Sequence, residues 1–431
     1  DDIYLDNITL TKTLQTNPDK TIASLKDTYK DVFPIVGVGA GIASILGKNG
    51  SEFISQQYNA VTPGNEMKPD AILGSTIGKL VKPTDEVSAD KTDFITVEDA
   101  KSMGYIIPDN YTSYDDNRFK SATGEYAVPR LNFDNVDKLM KAAHENGVKL
   151  RGHTLVWHQQ TPKYFFQQNY KITTGQKYNT SKECMDTRLE FYVKTVMNHV
   201  LSSEYADCLY SYDVVNEYLH SANAEKDSKN ITYWGLIYGT YDKSVKDHGV
   251  TLRPSYVKDA FKYAHEMLVK YDRLDVKLIY NDYHCYQNPE SIIHLVDYIN
   301  SDGKVCDGIG MQSHLDITDS FHSATNYAKA LEYFRLNCPD LEIQITELDA
   351  TMVSTEDKPL TDEDQAAYYD QIMNAILTNK KNGGNITALI IWSLYDGVSW
   401  RPAKFPCLFN GLYMPKAAFY AVIDAKKQYW D

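Results

Sequence analysis

Short apolar runs, each bounded by turn residues, alternate along this chain with stretches whose apolar positions recur at helical spacing. Buried strands of a parallel sheet and amphipathic helices produce these two patterns. A short helix over Ser24 to Asp31 leads into a first strand at Phe33 to Gly41, and Ala60 to Thr62 reads as the second. Beyond Arg130 the rhythm is regular. Val136, Leu139, Met140 and Ala143 trace one helical face that ends at Gly147, and Lys149 to Val156 follows as a strand. Helices over Ser181 to Leu201, Tyr256 to Tyr271, Glu290 to Asn300, Thr325 to Leu336 and Asp362 to Lys381 each precede a strand. Those strands are Ser211 to Val215, Lys277 to Tyr280, Gly308 to Gln312, Glu342 to Thr346 and Ala388 to Trp392. Thr361 and Asp364 approximate a capping box, and a last helix spans Pro415 to Tyr429. Eight strands, each followed by a helix or a helix-containing connection, are the arithmetic of an α/β fold, the (β/α)8 TIM barrel. A doubly wound sheet is the architectural alternative.

Two stretches break the rhythm. Residues 1–20 are polar and aperiodic, an N-terminal linker or edge segment, so the barrel domain is expected over 21–431. Residues 71–130 are too long for an ordinary connection and predict an inserted loop or subdomain after the second strand. The glycines that end the first strand fail the spacing of a phosphate cradle, so close packing or a tight turn is their expected role.

With 43% hydrophobic and 24% charged residues, the 431-residue chain has ample core material, and no apolar run approaches the length of a membrane helix. A net charge of −14 argues against nucleic acid or anionic membrane as partner. The scattered cysteines and histidines show no ligand spacing, so no metal and no cofactor is indicated. Cys306 and Cys338 each precede a strand start, and a disulfide between them is an expectation of the parallel arrangement. The 33 tyrosines against 14 phenylalanines suit carbohydrate or peptide surfaces, compositional drift being the alternative. The chain begins at Asp1 without Met or leader, which reads as a mature or trimmed product.

In such a barrel, chemistry collects at the C-terminal strand ends. The third strand ends in His153 and Trp157, the fourth in Asn216-Glu217, and the fifth in Asn281-Asp282-Tyr283. The sixth ends in Gln312-Ser313-His314, the seventh in Glu347-Leu348-Asp349, and the eighth in Trp392, with Asp396, Trp400 and Arg401 beyond. Ile343, Ile345, Glu347 and Asp349 share one strand parity, which points both acids the same way. Cleaving a glycosidic bond needs a proton for the leaving oxygen and a carboxylate facing the anomeric carbon. The two carboxyls must differ in proton affinity, so their surroundings have to separate them. Glu217, near aromatic residues, is expected to be desolvated and to serve as the acid. His314 on the adjacent strand favours an ionised Glu347, the nucleophile, with Asp349 orienting the histidine. Asn216 and Gln312 suit sugar hydroxyls, and Trp392 and Trp400 offer stacking faces. Asp396 reads as a structural or sugar contact and Arg401 as a rim residue.

These motifs resemble glycoside hydrolase family 10, the endo-β-1,4-xylanase family. Asn65-Glu66-Met67-Lys68, Arg151-Gly152-His153-Thr154-Leu155-Val156-Trp157-His158, Asp213-Val214-Val215-Asn216-Glu217, Tyr280-Asn281-Asp282-Tyr283, Asp307 to His314 and Ile345-Thr346-Glu347-Leu348-Asp349 stand in family order. The resemblance covers the chain from about Ser24 to Tyr429 apart from the insertion. It implies a retaining hydrolase with Glu217 as acid/base and Glu347 as nucleophile, supported by Asn216, His314 and Asp349. It also implies Asn65, Lys68, His153, Trp157, Gln312, Tyr283, Trp392 and Trp400 around the sugars, with no metal. Retention implies carboxyls about 5 to 5.5 Å apart.

Two positions depart from the family pattern: Gly64 where a Glu is usual, and Pro69 where a Trp is usual. The insertion begins beside both, which predicts that it rebuilds or covers distal sugar subsites. A surface decoration, or a small carbohydrate-binding module using Tyr105, Tyr111, Tyr114 and Tyr126, are the alternatives. The substrate expected is xylan or xylo-oligosaccharide, a related β-glycosidase acting on β-glucan and a non-catalytic carbohydrate-binding barrel being the other readings. A polymeric substrate carries the expectation of a secreted or surface-displayed protein. Oligomeric state is not legible.

Overall fold

The computed structural model describes residues 18–74, 94–120, 123–170, 179–221, 232–245, 249–353 and 359–431. Eight strands form the barrel: β1 (Ile35–Ala40), β2 (Ala60–Pro63), β3 (Lys149–Trp157), β4 (Leu209–Asn216), β5 (Lys277–Asp282), β6 (Gly308–Met311), β7 (Glu342–Thr351) and β8 (Ile386–Trp392). Each pairs in parallel with the next, and β8 pairs with both β7 and β1, which closes the sheet. The fold is the (β/α)8 barrel expected, and the doubly wound alternative falls. Most of the predicted N-terminal segment lies outside the described residues.

The helices form where the apolar stripes and caps direct them. Ser181 caps Lys182–Ser202 by accepting from the Cys184 N–H, and Thr361 and Asp364 complete the capping box of Asp362–Lys381. Asp134–Glu145 buries Val136, Leu139, Met140 and Ala143 and is followed by Gly147 at φ 63°.

Strict alternation fails at three places that matter. Gln344 and Thr346 of β7 both reach the barrel interior, where they bond Arg151 and Asn281. By parity alone Glu347 would then face outward. A register shift against β8 between Ile345 and Leu348 adds one residue to β7 and returns Glu347 to the interior. Comparable shifts occur in β3 between His153 and Val156 and in β4 between Asp213 and Val215. The shared parity expected of Ile343, Ile345 and Glu347 is thus corrected: the bulge, not alternation, aims the carboxylate.

The predicted disulfide is absent, and all six cysteines are free thiols. Cys306 sits at the foot of β6 with its thiol turned to the Gly308 carbonyl, whereas Cys338 caps Ala324–Asn337 with its thiol on the Phe334 carbonyl. Each sulfur is committed to its own local backbone.

The described part of the insertion also departs from expectation. It comprises a hairpin, Phe94–Thr96 against Ala127–Pro129, the helix Val97–Ser102 and two 3-10 turns. It packs on the outside of the barrel against Lys182–Ser202: the Ile106 N–H donates to Thr195, and Asn198 donates to the Gly104 carbonyl. None of its described residues lines the sugar-side cleft. Of the four tyrosines considered for a sugar-binding module, Tyr105 and Tyr111 are buried, Tyr114 is half-buried and only Tyr126 is exposed. The fully buried Arg188 guanidinium donates to Asn117 Oδ1 and to the carbonyls of Asp116, Phe165 and Gln167, and it lies 3.9 Å from the Tyr170 ring centroid. Arg188→Met leaves those acceptors without donors. The expected loss is about 2–4 kcal/mol of unfolding free energy in urea denaturation. A change below about 0.5 kcal/mol, the level of ordinary surface substitutions, would show that the insertion does not hang on this residue.

Candidate active site

A cleft of about 700 Å³ opens at the C-terminal ends of the strands. It gathers Asn65, Lys68, His153, Trp157, Asn216, Glu217, Tyr283, Gln312, His314, Glu347, Trp392 and Trp400. Of the residues predicted for the site, Asp349 alone stays behind the wall, fully buried. Asp396 stands apart as a structural acid, paired with Lys416 at 3.2 Å and accepting from the Cys407 N–H.

Glu217 follows the last residue of β4 at φ 58°, a turn that carries its side chain back over the cleft. Its Oε2 accepts from Trp157 Nε1 at 2.8 Å and its Oε1 from Gln312 Nε2 at 3.0 Å. Burial raises its proton affinity, with further upward pressure from the charges of Asp282 and Glu347. The two neutral donors offset this only in part.

Glu347 is held differently. Burial alone would raise its pKa. The hydrogen bond from His314, the charges of His153 and His314, and the Asn281 amide outweigh it and bring the carboxyl down to about 2. His314 points Nε2 at Glu347 (3.0 Å) and Nδ1 at Asp349 (2.9 Å), so both ring nitrogens donate. Burial opposes a charged ring, but Asp349 and Glu347 prevail and raise its pKa to about 10. The register Asp349↔His314, in a short strand pairing beyond the predicted end of β7, brings this contact about. Asp349 is fixed in turn by Trp400 Nε1 at 2.7 Å.

An amide bridge joins the two glutamates. Asn281 Nδ2 donates to Glu347 Oε1 at 2.8 Å and to Asn216 Oδ1 at 2.9 Å, and Gln312 Nε2 donates to Asn216 Oδ1 and Glu217 Oε1. Asn281 belongs to the fifth-strand motif, yet sequence reasoning assigned it no role; its strand-end position was the available signal. Sequence reasoning also passed over Gln160, whose amide contacts Asn65 and Asp70, and His220, which stacks on Tyr283 at 3.8 Å and bonds Asp282.

The remaining walls follow from packing. Lys68 Nζ bonds Asn65 Oδ1 and lies 4.9 Å from the Trp157 ring centroid. His153 Nδ1 bonds Asp213 Oδ2 at 2.9 Å, the same oxygen that receives Arg151 Nε. Trp392 packs so tightly on β1 that a Cβ at Gly39 would stand 2.3 Å from its ring, which bears out close packing as the role of that glycine. Trp400 is half exposed at the rim, with the Arg401 guanidinium 3.8 Å from its ring centroid. Glu66, beside the departure at Gly64, turns away and accepts from the Ile42 and Asn65 N–H groups. Among the described residues no cluster of His, Cys, Asp or Glu could hold a metal ion.

One glutamate of raised and one of lowered proton affinity, facing a cleft of amides and indoles at a barrel mouth, define a glycoside hydrolase. The chain belongs to glycosyl hydrolase family 10, whose family model matches residues 24–425. It is 39% identical over 373 residues to an endo-1,4-β-xylanase A of Butyrivibrio fibrisolvens, an alignment covering 86% of this chain and 77% of that protein. It is 28% identical to an endo-1,4-β-xylanase A of Thermotoga maritima across 98% of this chain, which spans about a third (33%) of that longer relative. Among solved structures it resembles the CBM22-1 and GH10 modules of a Clostridium thermocellum xylanase complexed with xylohexaose: TM-score 0.68, 26% identity, 93% of this chain and 67% of that one. An intracellular xylanase of Thermoanaerobacterium saccharolyticum complexed with xylotetraose gives TM-score 0.66 at 25% identity, covering 94% and 100% of the two chains.

Two outcomes test this geometry. A Cβ at Gly310 would stand 2.3 Å from Asn281 Oδ1, so Gly310→Ala is expected to dislodge the bridging amide. It should lower kcat by about 10²-fold, with the melting temperature nearly kept. The Trp157 hydrogen bond lowers the Glu217 pKa, so Trp157→Phe should raise it. The alkaline limb of kcat/KM, which reports loss of the Glu217 proton, should then move up by about 0.5–1 pH unit. A downward move would contradict the assigned donor.

Proposed function

We infer that this chain is a retaining endo-1,4-β-xylanase that hydrolyses internal bonds of xylan through a covalent glycosyl-enzyme intermediate. The observation that carries the reading is the opposed proton affinity of two glutamates joined by one amide bridge. The names of the relatives supply the sugar, and the bound xylo-oligosaccharides of the two solved structures are consistent with it.

In this mechanism Glu347, already ionised, attacks the anomeric carbon while Glu217 gives its proton to the leaving oxygen. Glu217, now a carboxylate, then takes a proton from water as that water displaces Glu347. The charged His314 stabilises Glu347 as nucleophile and again as departing carboxylate. Asn281 on Glu347 and Gln312 on Glu217, joined through Asn216, tie the two acids together. Lys68, Asn65, His153 and Gln312 are assigned to sugar hydroxyls, and Trp392 and Trp400 to the ring faces. The protein is further proposed to act outside the cell or at its surface, because a polymeric substrate does not cross a membrane. Fractionation of the source cells with an antibody tests that statement, and a purely cytosolic pool would refute it.

Soluble xylan incubated with the protein should release reducing ends, and the first product seen by proton NMR should carry the β anomer. Glu347→Gln should reduce kcat by at least about 10³-fold with the fold intact. An initial α anomer would overturn retention. Faster cleavage of mixed-linkage glucan than of xylan would move the assignment to a β-glucanase.

A further inference from the structure

Arg401 is half buried at the cleft wall, and its side chain has no hydrogen bond or ion pair among the described residues. Other arginines of this barrel that lie below the surface are committed: Arg151 to Asp213, Arg188 to backbone carbonyls, Arg273 and Arg335 to neighbouring carboxylates. Stacking on the Trp400 indole holds the guanidinium plane at 3.8 Å and leaves its N–H edge for an outside acceptor. A second donor faces the same cleft. His322 Nδ1 accepts from the Asp316 N–H at 2.7 Å, which puts the ring proton on Nε2. The nearest carboxylate oxygen to that Nε2, on Asp319, is 3.8 Å away, too far to take the proton in a hydrogen bond. Arg401 is close enough for its charge to act on His322. The loop carrying His322 follows β6, across the barrel from β2 and its Asn65 and Lys68.

We propose that Arg401 and His322 form a subsite for the carboxylate of a uronic acid side group carried by the xylan chain. The proposal rests on the xylanase reading above and deepens it to a substrate class. A planar guanidinium and a neutral N–H donor lining the same cleft match a carboxylate, and neither group is needed for the neutral hydroxyls of an undecorated chain. The protein's charge of −14 makes the point sharper. An acidic polysaccharide is repelled at long range, so its side group is retained only where a local cation meets it within a Debye length.

The test uses three xylo-oligosaccharides: one bearing a uronic acid side group, the same molecule with the carboxyl reduced to an alcohol, and a linear chain. The wild-type protein should cleave the acid form with kcat/KM about fivefold above the reduced form, and the advantage should fall as salt rises. Arg401→Met should bring that ratio close to one while changing the linear substrate by less than about twofold. Equal rates on the acid and reduced forms by the wild-type protein would overturn the subsite. So would an Arg401→Met effect equal on all three substrates. If the linear chain is left intact by the wild-type protein, the xylanase reading itself falls and the subsite with it.

Discussion

Two carboxyl groups buried in one cleft raise each other's proton affinity, and this site works only if one of them escapes that rule. Glu217 and Glu347 are almost equally buried, at 8% and 5% exposure, so burial does not distinguish them. Nor does the number of donors, since each accepts from two side chains. Charge distinguishes them. Trp157 and Gln312 are neutral, whereas His314 is kept cationic by Asp349 behind it. Asp282 adds negative potential near Glu217. The result is an opposed proton affinity of the two acids, present before any substrate enters, that fits the roles proposed for them.

That difference needs side chains placed to within fractions of an ångström, and the barrel achieves it through departures from regularity. Register shifts in β3 and β4 lie just below Trp157 and Asn216, and the shift in β7 contains Glu347 itself. An extra residue switches the face a strand presents, so an outward position becomes an inward one without ending the strand. Missing side chains complete the arrangement: Gly310 leaves room for the Asn281 amide, and Gly39 for the Trp392 ring. Beneath them lies a buried polar layer. Arg151 pairs with Asp213 and reaches Gln344, and Asp213 also receives His153. Removing one member would strand a buried charge, so the layer holds β3, β4 and β7 in one register below the chemistry.

Much of this was legible in the sequence because periodicity and strand-end chemistry are local signals. Strand count, helix order and the placement of Glu217, Glu347 and His314 at the strand ends could be read from residues a few positions apart. The misreadings share a cause. Parity along β7 grouped Glu347 with Ile343 and Ile345 and so aimed it away from the interior, since a bulge is set by neighbouring strands and leaves no mark in the run Ile343-Gln344-Ile345-Thr346. The pairing of Cys306 with Cys338 assumed that two strand starts meet, but Cys338 belongs to a helix cap. Asn281 went without a role because an amide bridging two distant strands is a property of closure, not of its own motif.

The insertion is where closure and local sequence are furthest apart. It leaves the barrel next to Gly64 and Pro69, which invites the idea of a cover over the sugars. Its described part instead turns down the outer wall, and the reason lies in what it can satisfy there. Arg188 brings a buried cation with no carboxylate partner among the described residues, and the insertion and the loop after β3 supply its oxygen acceptors together. The helix Pro69–Leu73 joins the same assembly: the Asp70 N–H donates to the Gln160 carbonyl, and Tyr164 donates to the Leu73 carbonyl. The loop after β3 follows Trp157, the donor that holds Glu217, and includes Gln160 at the cleft. The insertion and the helix Pro69–Leu73 thus hold from behind the loop that follows Trp157.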